Sequence, residues 1–558
     1  MPVLRFFRIE PKGVHQAALL LALSSLANGA LGLLRDRLLA GTYGASRLLD
    51  IYYAAFRVPD FIFSLSLFFV ASTAFIPLFM ERQDRSGKDA EGFFSSLLSI
   101  FFLSLAALAL GAYFLMPFIL KALAPGFDDA SQSQTLLLSR LMLFSPLFLG
   151  ISSLVSGVLQ SSKKFLAYGL SPIVYNLGII VGVIWLYPLF GLKGLAFGVI
   201  LGALLHLAVQ LPTFFSLGMN FRFRFSREAE PLRILSYSFP RAMAMSWNQL
   251  TFFALTSLAS TLGAGAISVF NLSYNLQALP LTVIGLSYSI AAFPTMAELV
   301  LKKERSLFFE HLLSATRHIF FWTVPIAGLC IVLRAHIVRL ILGTGAFAWG
   351  GTRLTAASLL LFAFAIIFQS LVTLFVRAYY ALGRTHEPIV YNIFASLVTV
   401  GIAFFAVIIL EAHAGLRLAI GRAFRIEDLA NIEFLSLPLA YVLGSLVNAL
   451  LLGIKIFRLN GGAELKSLKS STRNITLVSI VISSVTYLSL KILSALGLFR
   501  LDTFLSVFFH AGISGLLGVL VGVFIMERAK IPEFLEIKEA VFSRFVKKEI
   551  LQPETEHM

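Results

Sequence analysis

Long apolar stretches recur along the whole chain and are separated by short polar connections. A helix needs about 20 apolar residues to cross a bilayer, and backbone groups in lipid must pair within their own segment. The pattern therefore predicts an all-α membrane protein of about fourteen transmembrane helices, near residues 14–40, 48–80, 91–122, 134–160, 165–188, 191–217, 231–262, 265–298, 308–342, 352–382, 387–411, 434–457, 473–497 and 502–527.

Lysine and arginine are concentrated in alternate connections. The positive-inside rule places such connections in the cytoplasm, and an even number of spans then places both termini there. The exception is the connection 412–433, which lies on the predicted outer side but carries three arginines beside three acids.

An internal repeat is visible in the sequence. SPIVYN, with Pro172, recurs as EPIVYN, with Pro388, at an offset of 216 residues. APGF, ending at Phe127, pairs with TGAF, ending at Phe347, and FRVP pairs with QALP at nearly the same offset. Such duplication is typical of transporters.

The repeat predicts two parallel, pseudo-symmetric lobes of six helices each. The lobes are expected at 1–220 and 221–460, followed by helices 13 and 14 within 461–530 and a cationic amphipathic cytoplasmic tail at 531–558. Because each copy has an even number of helices, the pseudo-axis runs along the membrane normal. Two facing bundles enclose a cavity that opens to either side by rocking, which is alternating access.

Composition agrees with a membrane protein and excludes several functions. The chain is 58% hydrophobic and only 13% charged. Its net charge of +16 is spread over connections and tail, so we expect no nucleic-acid partner. One cysteine excludes an internal disulfide, and we expect no cofactor, metal or catalytic residues. A membrane glycosyltransferase or ligase stays an alternative, although no large outer loop offers candidate acids or bases.

Charged and amide side chains within the spans are the candidate site. A charge at the bilayer centre costs ~2.5–3.5 kcal/mol, so such residues usually face a cavity or a partner. Snorkelling or pairing between helices is the structural alternative, and it is favoured for Arg140 and His510, whereas His206 stays open. The predicted cavity residues are Arg35, Asp36, Asp50, Arg57, Asp60, Arg241, Asn248, Asn271, Asn275 and Arg377.

The two lobes differ in charge at equivalent places. The first has DIYYAAFRVPDF where the second has NLSYNLQALP, which is polar but uncharged. This asymmetry suggests an anionic ligand held on one side. The aromatic residues, 13% of the chain, are assigned to packing and lipid contact.

Several motifs carry a family resemblance that covers most of the chain. They are LGLLRDRLLAGTYGAS, AAFRVPD, TAFIPLF, APGF, the stretch from Phe165 to Asn176, GAF at Phe347 and RAYYALGRTHEP. Together they resemble the MurJ family, also called MviN, of peptidoglycan lipid II flippases in the MOP superfamily. Two helices beyond a twelve-helix core also resemble this family, whereas MATE exporters usually end at twelve.

The resemblance implies a flippase of the bacterial inner membrane that carries the lipid II headgroup to the outer leaflet. Helices 13 and 14 would frame a groove for the polyprenyl tail, and Arg35, Asp36, Asp50 and Arg57 match headgroup positions. We expect lipid II and membrane lipids as partners, and a monomer. Coupling to the membrane potential, Na⁺ or H⁺ is left open.

The chain also departs from the family pattern. An Asp-Arg pair expected in helix 8 is replaced by Tyr274 and Asn275, and Arg241 and Arg377 are candidate substitutes. Four further positions are uncharged here: the family usually has arginine at the places of Gly29, Phe63 and Ser64, and an acid at the place of Phe68. Headgroup binding is therefore expected to be rearranged or weaker.

Three alternative functions remain at this stage. They are a flippase for another polyprenyl-diphosphate oligosaccharide, a MATE-like exporter of small molecules, and a scaffold that transports nothing. A cationic cavity favours a lipid diphosphate, an acidic cavity favours drug cations, and a collapsed one favours a scaffold.

Overall fold

The computed structural model describes residues 14–72, 79–83, 87–220, 222–223, 247–429, 431–461, 464–500 and 502–546. The described residues contain no β-strand, which confirms the predicted all-α class. The helices are α1 Val14–Tyr43, α2 Arg47–Ser72, α3 Gly87–Leu123, α4 Asp129–Met142, α5 Phe144–Ser161, α6 Phe165–Val181, α7 Tyr187–Phe190, α8 Leu192–Ala208, α9 Leu211–Ser216, α10 Trp247–Thr261, α11 Ala266–Pro280, α12 Ser287–Leu301, α13 Arg305–Ile341, α14 Trp349–Ala381, α15 His386–Ala412, α16 Ala414–Phe424, α17 Ser436–Arg458, α18 Glu464–Ala495, α19 Phe504–Arg528 and α20 Pro532–Val546.

Among the described residues, 11 helical segments are long and apolar enough to cross a membrane. The first, second and seventh predicted spans correspond to α1, α2 and α10. Each of these three helices adjoins residues outside the described ranges, and none is among the 11. The count of fourteen therefore stays a prediction.

Proline interrupts two of the spans. Pro146 has no N–H to donate to the carbonyl of Met142, where α4 ends. Pro280 closes α11, and the chain continues as a wider π-helical turn over Leu281–Leu286. Both breaks lie at prolines, which are a common cause of kinks in long helices.

Two compact units divide the chain. The first comprises Met1–Asn275, Ile341–Thr355 and Asn392–Ala440, and its core includes Phe93, Phe94, Leu154 and Phe214. The second comprises Leu276–Leu340, Ala356–Tyr391 and Tyr441–Met558, with a core that includes Phe308, Phe309, Phe375 and Phe457. The lobe boundaries inferred from the repeat stay a prediction.

Glycines allow close packing of α6 against α8 in the first unit. A Cβ atom on Gly182 would lie 2.6 Å from the Cα atom of Gly198, and one on Gly178 would lie 2.3 Å from the Cα atom of Gly202. Glycine recurs at four-residue spacing at Gly178 in α6 and Gly182, which directly follows α6, and at Gly198 and Gly202 in α8. This is the pattern by which membrane helices bring their backbones together. The contact holds α6, which contributes to the cavity described below.

The repeated loops make reciprocal contacts within the first unit. In the APGF loop, the Gly126 backbone N–H donates to Ser260 Oγ at 3.1 Å, near the end of α10. In the TGAF loop, the Ala346 backbone N–H donates to the Gly41 carbonyl at 2.7 Å, near the end of α1. Each loop therefore contacts the first helix of the other predicted repeat.

Alanine at Gly126 is expected to destabilise this contact strongly. Its Cβ would lie 2.1 Å from the backbone carbonyl oxygen of Ser260, which is too close without a backbone shift. Overpacking of this kind costs ~1–3 kcal/mol, so the purified protein should melt at a lower temperature. Gly111→Ala is the control, because no neighbouring atom in the described part of the chain lies within 4 Å of its added Cβ. Equal melting temperatures for the two variants would contradict the close contact between Gly126 and Ser260.

The connection 412–433, treated as a loop in the sequence analysis, contains helix α16. One of its three arginines, Arg417, lies 3.0 Å from Glu433, and its Asp428 lies 2.6 Å from Arg353 of helix α14. The hydrogen bond from Arg353 lowers the pKa of Asp428. Acids therefore neutralise part of the positive charge that departs from the positive-inside pattern.

The predicted cationic tail begins as helix α20, which packs on other helices of the second unit. Ile531 belongs to a small apolar cluster with Phe321, Ile475 and Ile482. Glu533 is 2% exposed and accepts a hydrogen bond from Ser471 Oγ at 2.6 Å. The start of the tail is therefore docked on the helices, and residues 547–558 lie outside the described ranges.

Candidate functional site

A polar cavity of about 320 Å³ lies within the first unit. Helices α1, α2, α6, α10 and α11 supply its wall, so it is formed by helices from both predicted repeats. Six of the ten predicted site residues line it, namely Arg35, Arg57, Asp60, Asn248, Asn271 and Asn275. Its volume is at the lower end of the range of ligand pockets, roughly 300–1,000 Å³.

Arg35 is held by a chain of hydrogen bonds. Its Nε and Nη2 atoms donate to Asp36 Oδ1 at 3.0 and 2.8 Å, and Nη1 donates to Asn176 Oδ1 at 3.0 Å. Asn176 in turn donates to Asn28 Oδ1 at 2.8 Å, while Asn275 Nδ2 donates to Asp36 Oδ2 at 2.9 Å. These bonds join α1, α6 and α11 and fix the orientation of the guanidinium group before any ligand binds.

Arg57 presents a second guanidinium group to the cavity. Nη2 donates to Asn271 Oδ1 at 2.6 Å, and the group lies over the Phe252 ring at 5.3 Å. Its Nε atom is buried and has no hydrogen-bond partner among the described residues. Because a guanidinium group binds phosphate or carboxylate through paired N–H donors, Arg57 retains capacity for an anionic ligand.

Two further predicted residues, Asp36 and Asp50, belong to the first unit but do not line the cavity. Asp36 is 2% exposed and lies behind Arg35, to which it is bonded. Asp50 is fully buried and does not line the cavity. Its carboxylate accepts hydrogen bonds from the Gly265 and Ser268 backbone N–H groups and from Ser268 Oγ, at the start of α11.

The remaining two predicted residues are not part of the described cavity. Arg377 is half-buried in α14 and belongs to the second unit. Arg241 lies outside the described residues. The role of either residue as a substitute for missing family arginines stays a prediction.

Arg140, His206 and His510, for which a structural role was an alternative, each contact another residue of the protein. Arg140 donates to the Tyr113 carbonyl and lies over the Tyr113 ring at 4.3 Å. His206 Nδ1 lies 2.7 Å from Ser152 Oγ. His510 Nδ1 lies 3.0 Å from His336 Nε2. None of the three uncertain residues lines the cavity.

Aromatic side chains form much of the cavity wall, a role that the sequence analysis did not assign. Their signal was present in DIYYAAFRVPD, where two tyrosines and a phenylalanine precede Arg57 within two helical turns. These three residues do not stand out in the sequence, because 13% of the chain is aromatic and membrane helices carry many aromatic residues. The aromatic lining residues are Tyr52, Tyr53, Phe56, Tyr175, Phe252 and Tyr274.

At one of the positions where the chain departs from the family pattern, the structure shows a hydrogen bond between uncharged side chains. At Ser64, where an arginine is usual in the family, Gln249 Nε2 donates to Ser64 Oγ at 3.0 Å. Gln249 also lines the cavity. A neutral hydrogen bond thus occupies a place where the resemblance implied a cation.

The arrangement favours binding over chemistry. Two guanidinium groups and several amides converge on one aromatic-walled space, which suits an anionic group that carries many acceptor oxygens. The described residues contain no group of three or more His, Cys, Asp or Glu side chains placed to hold a metal.

Comparison with known proteins identifies the family. A sequence model described as "Lipid II flippase MurJ" matches residues 39–508. The lipid II flippase MurJ of Burkholderia cenocepacia is 25% identical over 71% of this chain and 79% of its own length. A probable lipid II flippase MurJ of Buchnera aphidicola is 29% identical over 72% of this chain and 79% of its own.

Solved structures share the fold. A lipid II flippase MurJ in an inward closed conformation aligns with a TM-score of 0.72 and 22% identity, over 92% of this chain and all of that one. An inward-facing MATE multidrug transporter of the MOP superfamily aligns with a TM-score of 0.63 and 14% identity, over 78% of this chain and 96% of that one. Since the family model covers most of the sequence, this chain belongs to the lipid II flippase MurJ family.

Proposed function

We propose that this protein moves lipid II, the lipid-linked peptidoglycan precursor, from the cytoplasmic to the outer leaflet of the inner membrane. The observation that carries the proposal is the pair Arg35 and Arg57, which face one cavity in a member of the MurJ family. A diphosphate offers the acceptor oxygens that two guanidinium groups bind in paired fashion.

In the proposed cycle, the cavity admits the headgroup while the polyprenyl tail stays in lipid. The tail would lie along α18 and α19, which correspond to the predicted helices 13 and 14. Rocking of the lobes then delivers the headgroup to the outer side. No covalent bond changes, so the protein acts as a transporter and not as an enzyme.

The energetic coupling belongs to the same proposal. A unit charge crossing the membrane couples to the potential by ~2.3 kcal/mol per 100 mV. An empty cavity lined by Arg35 and Arg57 would therefore respond to the potential, with Na⁺ or H⁺ as the alternative coupling ions. Cytoplasmic termini and a monomeric state complete the proposal.

A MATE-like exporter of small cations is the rival that the fold permits. The cavity argues against it, because two guanidinium groups line the cavity and only one acid, Asp60, does so among the described residues. A flippase for another polyprenyl-diphosphate oligosaccharide shares the same cavity chemistry, so only substrate measurements separate it from a lipid II flippase.

The decisive experiment measures lipid II at the outer leaflet of cells depleted of their own flippase. Expression of this protein should restore access of an external lipid II-binding or lipid II-cleaving probe to its target. Arg57→Ala at equal membrane abundance should restore little. If this protein restores no signal while a known flippase does, the proposed function is wrong.

A further inference from the structure

Asp60 is the one acid on the cavity wall among the described residues. It follows Arg57 by three positions on α2, so the two side chains share a helix face. Both Arg57 and Arg35 lie within electrostatic reach of its carboxylate, but no hydrogen bond or ion pair joins Asp60 to a described residue. Among the described residues, its carboxylate oxygens therefore have no hydrogen-bond partner, and Asp60 lines the cavity.

An ionised carboxylate accepts hydrogen bonds and donates none. A diphosphate has the same limitation, so Asp60 and a diphosphate in this cavity cannot bind each other and their charges repel. A ligand that fits all three charged groups needs an anionic part for Arg35 and Arg57 and a part rich in O–H or N–H donors for Asp60. A bare cation fits poorly, because both guanidinium groups would repel it.

We propose that Asp60 is a specificity residue that accepts hydrogen bonds from the hydroxyl or amide groups of the sugar joined to the lipid diphosphate. Asn248 and Gln249 also line the cavity from α10 and offer amide groups to the same sugar. The inference rests on the proposed function. It adds that the protein rejects the bare polyprenyl diphosphate, whose terminal phosphate would bring further negative charge to Asp60.

Binding of three lipids to the purified full-length protein tests this selectivity. The lipids are lipid II, the bare polyprenyl diphosphate and the neutral polyprenol, each titrated and measured by native mass spectrometry. The wild type should prefer lipid II. Asp60→Ala should weaken lipid II about tenfold, as for loss of one charge-assisted hydrogen bond, and should strengthen the bare diphosphate several-fold.

Two further variants make the result specific. Asp60→Asn keeps an acceptor oxygen but removes the charge, so it should retain most lipid II binding while it gains affinity for the bare diphosphate. Asp129→Ala removes an exposed acid outside the cavity and should change neither affinity. If Asp60→Ala does not fold, the gain in affinity for the bare diphosphate is measured with Asp60→Asn instead.

The outcomes separate this inference from the proposed function. Equal changes for lipid II and bare diphosphate in the Asp60 variants, or no change for either, would overturn the role of Asp60. If the wild type binds neither diphosphate lipid better than the neutral polyprenol, the proposed function itself fails.

Discussion

Arg35→Ala is expected to abolish rescue of a flippase-depleted cell. Arg35 lines the cavity, and its guanidinium group is already fixed by Asp36 and Asn176. In the proposed complex, Arg35 and the diphosphate form a buried, hydrogen-bonded charge pair, and truncating one partner of such a pair costs about 2–5 kcal/mol of binding free energy. On that scale lipid II affinity should fall roughly 30-fold or more, which titration of the purified variant with lipid II would measure.

Two companion variants show whether the loss concerns binding or folding. Arg35→Lys keeps the charge beside the buried Asp36 but loses the planar fork, so it should fold normally and still bind lipid II weakly. Arg140→Ala removes an arginine that contacts Tyr113 away from the cavity, and it should leave affinity unchanged. Wild-type affinity in both Arg35 variants would show that the cavity does not hold the diphosphate.

The importance of Arg35 also depends on amide side chains that hold it or its partner Asp36 in place, of which Asn275 lines the cavity and Asn28 and Asn176 do not. Asn28 and Asn176 belong to α1 and α6, and Asn275 to α11. A guanidinium group has many rotamers, and fixing one of them in advance lowers the entropic cost of binding. These amides are therefore positioning residues, and they connect the binding site to three helices.

The sequence was sufficient for the fold because hydrophobic length and repetition are strong signals. Apolar runs located 11 helical segments long and apolar enough to cross a membrane, and the APGF and TGAF motifs marked loops that make reciprocal contacts in the structure. Helix α16 was not recognised, since it has only 11 residues and mixes arginines with apolar residues. Short helices of this kind depend on tertiary contacts more than on local pattern.

The site was harder to predict than the fold. A charge inside a span narrows the candidates, and this rule found Arg35, Arg57 and Asp60. It does not tell a cavity residue from one that joins helices. Asp50 illustrates the difference, since its carboxylate accepts three hydrogen bonds from Gly265 and Ser268 at the start of α11. Uncharged wall residues such as Tyr175 carry no signal of their own in a chain with this many aromatic residues.

Asp50→Ala is expected to give the largest loss of stability among the variants considered. The carboxylate is fully buried and accepts from the Gly265 N–H at 2.6 Å, the Ser268 N–H at 2.8 Å and Ser268 Oγ at 2.6 Å. It thereby satisfies donors at the start of α11 and places a negative charge at the positive end of that helix. Removing it leaves those donors buried and unpaired, at a cost of about 3–5 kcal/mol.

Thermal melting and gel filtration of the purified protein measure this loss. Asp50→Ala should melt well below the wild type or aggregate. Asp50→Asn should lie between the two, because its amide oxygen still accepts but its NH₂ group faces a donor. Asp129→Ala, an exposed acid, should melt like the wild type. The resemblance placed Asp50 among the headgroup residues instead. An Asp50 variant that melts normally yet loses lipid II binding would favour that role. The reason is that a residue that only holds α11 in place cannot change affinity without changing stability.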